Sequence, residues 1–202
     1  MITYRDAAAG DMAAVAELHK ACFRGTFIAY WGNELIARYY KSFIEERGPF
    51  VLAFEDDKLI AFCMGYYAGS NARNNFLLDN KIRLALRMLV LCLSFNKLVM
   101  KKCWNFVFGT RNKDDTNKPK IKAEADLLSI CVLQAYRGQG VAVELVNQFE
   151  KRVADSGKKD LTLAVYQDNE RAIAFYKKMG YVIAGEDGDE YKMYKCLTND
   201  NN

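Results

Sequence analysis

The amino-acid sequence predicts an α/β fold, organised as a single domain over residues 1–202. An apolar strand-like run, Leu127–Leu133, leads through a glycine-bearing turn, Arg137–Gly140, directly into a helical pattern. Two further strand-like runs, 50–55 and 59–67, are separated by three charged residues and predict a hairpin. Hydrophobic residues make up 51% of the chain, enough to fill a core and to exclude a disordered protein. The helical pattern places apolar residues on one face, at Ala142, Leu145, Val146, Phe149 and Val153.

The N-terminal part predicts one strand and two helices. Ile2–Arg5 is typical of a short strand, and Asp11 is a plausible N-cap for a helix that follows it. Gly32 and Asn33 begin a second helix, which the Gly48-Pro49 pair stops. The first helix is expected to turn Val15, Leu18 and Cys22 inward, and the second Leu35, Ala37, Tyr39, Tyr40 and Phe43.

Residues 71–123 separate the hairpin from the Leu127–Leu133 strand. The run Leu84–Phe95 is strongly apolar, apart from Arg87, and predicts one or two helices. The polar tract 111–122 mixes both charges and predicts a loop. The elements after Leu133 follow as a helix 142–156, a strand 161–166, a helix capped by Asn169 and ended by Gly180, strands 181–184 and 191–197, and a frayed tail 198–202.

The glycine turn predicts an anion site. The first N–H groups of a helix have no intrahelical partner, and the helix dipole places partial positive charge there. Glycine also lets a phosphate approach the backbone closely. There is no G-x-x-x-x-G-K-[ST] loop, and Val143 stands where a G-x-G-x-x-G loop needs its third glycine, so the common nucleotide loops are excluded. An ordinary strand–helix turn is the alternative.

Two motifs together resemble the GNAT acyltransferase superfamily. Arg137-Gly138-Gln139-Gly140-Val141-Ala142 is similar to the [QR]-x-x-G-x-[GA] turn that grips the pyrophosphate of coenzyme A. Segment 161–181, LTLAVYQDNERAIAFYKKMGY, resembles the family pattern L-x-V-x-x-x-N-x-x-A-x-x-x-Y-x-K-x-G-F. The resemblance is dense over 124–197 and looser over 1–70. It implies a mixed, mostly antiparallel sheet flanked by helices, splayed between strands four and five, with residues 71–123 as an atypical helical insertion between strands three and four.

The resemblance also implies a coenzyme A site. Backbone N–H groups of the turn would hold the pyrophosphate, and the fourth strand, at Ile130, Cys131 and Val132, would pair with the pantetheine arm. Asn169 would hydrogen-bond that arm, and Tyr176 would donate a proton to the departing thiolate. The alternatives are a simple N-cap for Asn169 and a packed aromatic for Tyr176. The turn residues implied are Arg137, Gly138, Gln139, Gly140, Val141 and Ala142.

The general base is not given by the motifs. The resemblance places a carboxylate on strand four or five in some members, and here Asp126, with Glu124 as the second choice, stands near the start of strand four. Exposed charges at a strand entrance are the alternative. His19, the only histidine, shares a helix face with Val15 and is expected to be a packing residue. Cys131 is disfavoured as a nucleophile because no basic residue lies beside it.

Composition limits the partners. A net charge of +4 is too small to predict nucleic-acid binding, though it suits an anionic cosubstrate. Six cysteines without a C-x-x-C pair, and one histidine, predict thiols in a reducing cytoplasm and no metal site. No signal peptide or membrane span is expected. The oligomeric state is expected to be monomer or homodimer.

These observations predict an acetyl-CoA-dependent N-acetyltransferase that moves an acetyl group by direct attack of a primary amine. A small-molecule acceptor is expected, with a sugar-linked amine as first candidate. A peptide or protein N-acetyltransferase is one alternative, and a non-catalytic acyl-CoA-binding or scaffold protein is another. The insertion is interpreted either as a lid over the acceptor or as a basic, aromatic-rich surface that faces a membrane or another copy.

Overall fold

The computed structural model describes residues 1–93 and 122–197. Within them the chain forms two compact units. The first comprises 1–7, 47–70 and 122–197, and the second comprises 8–46 and 71–93. The predicted loop 111–122, apart from Lys122, and the predicted tail 198–202 lie outside the described residues.

The elements agree with the sequence predictions to within a few residues. The helices are α1 Met12–Cys22, α2 Asn33–Glu45, α3 Ala72–Asp79, α4 Lys81–Leu93, α5 Val141–Asp155 and α6 Glu170–Lys178. The strands are β1 Ile2–Asp6, β2 Phe50–Glu55, β3 Lys58–Tyr67, β4 Ala125–Val132, β5 Asp160–Tyr166, β6 Val182–Asp187 and β7 Glu190–Cys196. Helices α3 and α4 confirm the helical insertion between the third and fourth strands.

The first unit contains a seven-stranded sheet in the order β1-β2-β3-β4-β5-β7-β6. Every neighbouring pair is antiparallel except β4 and β5, which are parallel. The prediction of a mixed, mostly antiparallel sheet is therefore confirmed. The β2–β3 hairpin turns through Asp56 and Asp57, which both have a positive φ (46° and 64°). Paired left-handed residues match the right-handed twist of the flanking strands.

Helix α5 covers one face of this sheet. The predicted face is confirmed, since Leu145, Val146, Phe149 and Val153 are fully buried. They pack in one core with Leu127 of β4 and other apolar residues of the strands. Because burying a Leu, Val or Phe side chain contributes about 1.5–3 kcal/mol, this face is a main source of the stability of the unit.

A β-bulge interrupts the pairing of β3 with β4. Met64 pairs with Ser129 and Gly65 with Leu127, so the register skips Leu128. At Gly65 the strands approach so closely that a Cβ atom would lie 2.0 Å from the Asp126 carbonyl oxygen and 2.7 Å from Phe149. Only glycine fits at this position.

The second unit is helical. In α1, Val15 and Leu18 are buried as predicted, and in α2 Ile36 is fully buried whereas the predicted Ala37 is only half-buried. Asp11 stands at the N-cap position of α1, but its side chain accepts the N–H of Ala8 (2.8 Å) rather than a helical N–H. The insertion packs onto α2 through Phe76, which stacks on Trp31 at 5.5 Å between ring centroids.

Candidate active site

A wedge opens between β4 and β5. Within the described residues, the two strands pair only at Ala125 with Leu161, Asp126 with Thr162 and Leu127 with Leu163. Both strands run on, β4 to Val132 and β5 to Tyr166. The bulge at Leu128 directly follows the last pair and bends β4, since bulged strands bend and twist locally. The sheet is therefore splayed at the point where the sequence resemblance implied it.

The wedge presents backbone groups of β4. Leu133 donates its N–H to Ile60 O (3.0 Å), which makes this pair hydrogen-bonded. Hydrogen-bonded and non-hydrogen-bonded pairs alternate along antiparallel strands, and Cys131 lies two residues before Leu133. Cys131 therefore also turns its N–H and C=O toward β3. Ile130 and Val132 turn theirs toward β5. Of the three predicted arm-binding residues, these two have the geometry to pair with an extended ligand in the wedge.

The glycine turn lies where β4 leads into α5. Gly138 (φ 81°) and Gly140 (φ 83°) are both left-handed, and nothing lies within 4 Å of the position that a Cβ would occupy at either residue. Gly140 is the N-cap of α5, with no side chain capping the helix. The first N–H groups of a 15-residue helix therefore face an open approach, the arrangement that binds phosphate elsewhere.

Two side chains brace this turn. Arg137 Nε donates to the carbonyl oxygen of Val132 (3.1 Å), and Gln139 Nε2 donates to that of Ala135 (2.8 Å). Neither bond uses the N–H groups of α5. Val141 is buried and Ala142 half-buried, which anchors the first turn of the helix on the core. The predicted turn residues 137–142 thus form one preorganised loop.

Asn169 and Tyr176 lie at either end of α6. Asn169 is the N-cap, and its Oδ1 accepts the N–H of Ala172 (3.2 Å), so the capping interpretation holds. The amide nitrogen of an asparagine in this role can still donate to a ligand. Tyr176 is 6% exposed and packs edge-on against Tyr181, with ring centroids 5.5 Å apart. Burial, with a smaller contribution from the Cys63 thiol, raises the pKa of the Tyr176 phenol above its usual value.

Asp126 lies on the other face of the sheet. Its neighbour Leu127 belongs to the core that contains Tyr176, and successive strand residues point to opposite faces. Thr162 Oγ1 donates to Asp126 Oδ2 (2.9 Å). Burial raises the pKa of Asp126, and the Thr162 bond and the charge of Lys192 partly oppose that shift. A carboxylate with a raised pKa is a better base than an exposed one.

Glu124, the second-choice base, and His19, the only histidine, are engaged elsewhere. Glu124 accepts the N–H of Lys159 (2.7 Å) and ties the start of β4 to the chain before β5. His19 is buried, with Nδ1 2.7 Å from the Tyr40 hydroxyl, which confirms its predicted packing role. Burial lowers the pKa of His19 to about 4. Asp126 is left as the better candidate of the three.

Two features of the site escaped the sequence analysis. Thr162, which holds Asp126, looks like any strand threonine until its partner strand is known. The bulge at Leu128 had one available signal, the glycine at position 65 inside an otherwise apolar strand. Across residues 1–93 and 122–197, no group of three or more His, Cys, Asp or Glu side chains could hold a metal ion.

Comparison with known proteins adds to this geometry. The model of the acetyltransferase (GNAT) family matches residues 109–181, which include the splayed strands, the glycine turn and α6. Over residues 109–181 the chain is similar to the GNAT superfamily. Its mixed sheet flanked by helices is the GNAT fold. The predicted superfamily and fold are both confirmed.

Relatives among known protein sequences match only part of the chain. The N-alpha-acetyltransferase MAK3 of Arabidopsis thaliana is 36% identical over 55 residues, which are 27% of this chain and 29% of that protein. The uncharacterised N-acetyltransferase YdgE of Bacillus subtilis is 35% identical over 60 residues, 30% of this chain and 38% of that protein. The matched segments therefore span less than half the length of these relatives.

Solved GNAT structures match along nearly the whole chain. The PaiA N-acetyltransferase of Thermoplasma acidophilum, solved in complex with coenzyme A, has a TM-score of 0.60. It covers 97% of this chain and 99% of its own, at 17% sequence identity. Similarity at this level of identity supports the shared GNAT fold.

Proposed function

We propose that the protein is an N-acetyltransferase that moves the acetyl group of acetyl-CoA to a primary amine of a small molecule. The observation that carries the proposal is the wedge between β4 and β5, which lies between an open helix N-terminus and a buried tyrosine. Similarity to the GNAT superfamily and the N-acetyltransferase names of its relatives support the same activity.

The residues present fit coenzyme A. Its pyrophosphate would lie on the N–H groups that begin α5, next to Gly138 and Gly140, where no side chain blocks the approach. The amide groups of the pantetheine arm would pair with Ile130 and Val132 in place of a β5 partner. The Asn169 amide is the further donor. Acetyl-CoA supplies an activated acetyl thioester, so no metal ligand set is required of the protein.

The proposed proton transfers use both faces of the sheet. Asp126 accepts the proton that the attacking amine loses as its nitrogen bonds to the acetyl carbon. As the C–S bond breaks, Tyr176 donates its phenolic proton to the leaving sulfur. The phenol is protonated at neutral pH, as a proton donor must be, and the burial that raises its pKa also makes it a weaker acid. Placing acid and base on opposite faces leaves the thioester accessible to both.

Binding of the cosubstrate is the first test. Calorimetric titration of the wild type with acetyl-CoA should show binding, and Gly140→Glu should abolish it, because the new side chain adds negative charge and a strained left-handed residue at the phosphate site. Gly157→Glu is the matched control. Gly157 is also left-handed (φ 75°), with nothing within 4 Å of its Cβ position, but it follows the other end of α5. Equal loss in both variants, or no binding by folded wild type, would contradict the proposal.

Product formation distinguishes a transferase from a non-catalytic acyl-CoA-binding protein. Acetylated product should accumulate in a screen of amino sugars, polyamines and other small amines. A protein that binds acetyl-CoA but acetylates nothing in a broad screen would favour the scaffold function.

A peptide acceptor is the second candidate. It is favoured by the N-alpha-acetyltransferase relative, which is 36% identical over 55 residues. A panel of peptides with free N-termini, run beside the amine panel at equal concentrations, decides between them through the ratio of kcat/KM values. A ratio in favour of peptides would overturn the small-molecule assignment while leaving the acetyl transfer intact.

A further inference from the structure

Helix α4 has two apolar faces, and one of them is exposed. Leu91 is buried, and Leu84 and Met88, which share its side of the helix, are half-buried. The opposite side carries a stripe at helical spacing i, i+4, i+7, i+8 and i+11. We call it the α4 stripe; it comprises Ile82, Leu86, Leu89, Val90 and Leu93, which are 54–70% exposed.

The preceding helix also exposes large apolar side chains. Leu78, near the end of α3, is 67% exposed, and Leu77 is 40% exposed. Single exposed apolar residues are ordinary on a protein surface, but a contiguous row of large aliphatic side chains marks an interaction surface. This row needs a partner that offers apolar contact along the whole length of a helix.

The distribution of charge along the sequence indicates what kind of partner that is. Residues 81–113 carry eight Lys or Arg and no Asp or Glu. The rest of the chain carries 21 Lys or Arg (29 less those eight) against all 25 Asp or Glu. The positive net charge of the protein therefore comes from this one segment, while the remainder is acidic. Such a segregation along the sequence is typical of a segment that meets anionic lipid. Its described part, α4, carries Lys81, Arg83 and Arg87 and no acidic residue.

Basic side chains border the stripe on α4 itself. At 100° per residue, Arg83 and Arg87 lie along one edge of the stripe and Lys81 lies beyond the other. Arg83 and Lys81 are exposed, whereas Arg87 Nε donates to the Tyr30 carbonyl oxygen (2.9 Å). This is the pattern of an interfacial helix, with aliphatic side chains toward the acyl chains and cationic ones at headgroup level.

A groove beside the stripe is also basic. Its volume is ≈ 440 Å³, and Arg83, Arg87 and Glu34 are the charged residues of its lining, with Leu86 and Val90 of the stripe. Glu34 Oε1 lies 3.0 Å from Arg38, outside the lining, and 4.0 Å from Arg83 Nε, so the lining holds two guanidinium groups against one shared carboxylate. A lipid phosphate could be accommodated there.

We propose that the α4 stripe and the basic side chains of α4 that border it bind peripherally to an anionic lipid surface. Among the described residues, no helix could span a membrane. The proposed contact is with the membrane surface. This binding is independent of the acetyl transfer proposed above, because none of its residues belongs to the coenzyme A site.

Flotation of the full chain with vesicles tests the proposal. We expect the protein to float with vesicles of phosphatidylcholine and phosphatidylserine, less so as salt is raised, and not with phosphatidylcholine alone. Leu86→Ser with Leu89→Ser should weaken binding by about tenfold or more, through lost burial of two leucine side chains. Lys81→Gln with Arg83→Gln should also weaken it.

Matched controls separate the stripe from general surface effects. Val182→Ser with Ile183→Ser removes two exposed apolar side chains of β6, and Lys151→Gln with Lys178→Gln removes two exposed charges from α5 and α6. Neither control should change flotation, and circular dichroism should show every variant folded. Absence of flotation with anionic vesicles, or equal losses in stripe and control variants, would overturn the proposal. So would a concentration-dependent dimer that the stripe variant dissociates without any vesicle binding, which would assign the stripe to a second copy.

Discussion

Tyr176 shows how a core residue can also be a candidate catalyst. Its ring packs with Tyr181 and Phe175, and its hydroxyl is the group that the proposed mechanism uses. The burial that stabilises the ring also raises the pKa of the phenol, because a phenolate would be poorly solvated there.

Replacing Tyr176 by Phe should remove the proton donor and keep the packing. We expect kcat to fall by about a hundredfold, while the affinity for coenzyme A measured by calorimetry changes by no more than about twofold. Tyr181→Phe is the control, because it removes a phenol from the same core without touching the proposed chemistry. Unchanged turnover in Tyr176→Phe would remove Tyr176 from the mechanism.

His19 predicts a pH dependence of stability. Burial lowers its pKa from 6.5 to about 4, so in this pH interval the unfolded chain binds a proton that the folded protein does not. The free energy of unfolding should therefore fall as pH is lowered from about 6.5 to about 4, by up to about 1.4 kcal/mol per unit from this residue.

Urea unfolding at pH 7, 6 and 5 measures this slope. His19→Gln offers the same kind of hydrogen-bonding group to Tyr40 but does not titrate, so its slope reports the remaining groups. The two slopes should differ. If they coincide, His19 is not held neutral in the folded protein.

At the scale of elements, the junction of β3 and β4 controls the wedge. The bulge at Leu128 ends the β4–β5 pairing region, and the close approach at Gly65 makes the bulge possible. A residue of β3, which contributes no proposed site residue, thus helps to position the site in β4.

Gly65→Ala should be strongly destabilising. The added Cβ would lie 2.0 Å from backbone oxygen of Asp126, which cannot move without breaking the bulge. We expect a loss of about 2–3 kcal/mol or more in the free energy of unfolding. Gly10→Ala, where nothing lies within 4 Å of the Cβ position, should change it by no more than about 0.5 kcal/mol. Similar values in chemical denaturation for the two variants would show that the strands can separate freely at Gly65.

At the scale of the whole molecule, a buried ion pair connects the end of the described chain to α5. Lys195 Nζ of β7 lies 2.6 Å from Glu150 Oε2, and the two side chains are only 21% and 12% exposed. Lys195 also lies over the ring of Tyr181, 5.4 Å from its centroid. Lys195 and Glu150 therefore link β7 and α5 to Tyr181, the residue that packs against Tyr176.

Lys195→Met should be costly because it leaves the Glu150 carboxylate buried without its cation. The expected loss is about 3–5 kcal/mol, most of which Glu150→Met in the same chain should restore. Lys151→Met is the control, since it breaks a pair with Asp155 in which both side chains are more than 60% exposed. That loss should be at most about 1 kcal/mol. Thermal unfolding of the four proteins measures the difference, and equal losses for Lys195→Met and Lys151→Met would contradict the expected energetic role of burial.

The charge of the whole chain is also unevenly placed. A net charge of +4 suggested little about partners when counted over the full sequence. The structure shows that α4 exposes its stripe and that the charged residues of this helix, Lys81, Arg83 and Arg87, are all basic. Composition averages over positions, whereas binding depends on which charges lie together.

By itself the sequence determined the order of the elements, the inward face of α5, the glycine turn and the positions of Asn169 and Tyr176 on one helix. These features rest on local rules, namely side-chain periodicity and the backbone freedom of glycine, which act between residues close in the chain. The resemblance to the GNAT superfamily, which implied the splayed sheet, used the same local motifs.

Only the tertiary structure placed Thr162 beside Asp126, turned the backbone groups of Ile130 and Val132 rather than those of Cys131 toward β5, and left the α4 stripe exposed. Each of these depends on which strand or helix lies next to which, and on the one-residue shift at Leu128. Such contacts join residues far apart in the sequence, so no local pattern of residues carries them.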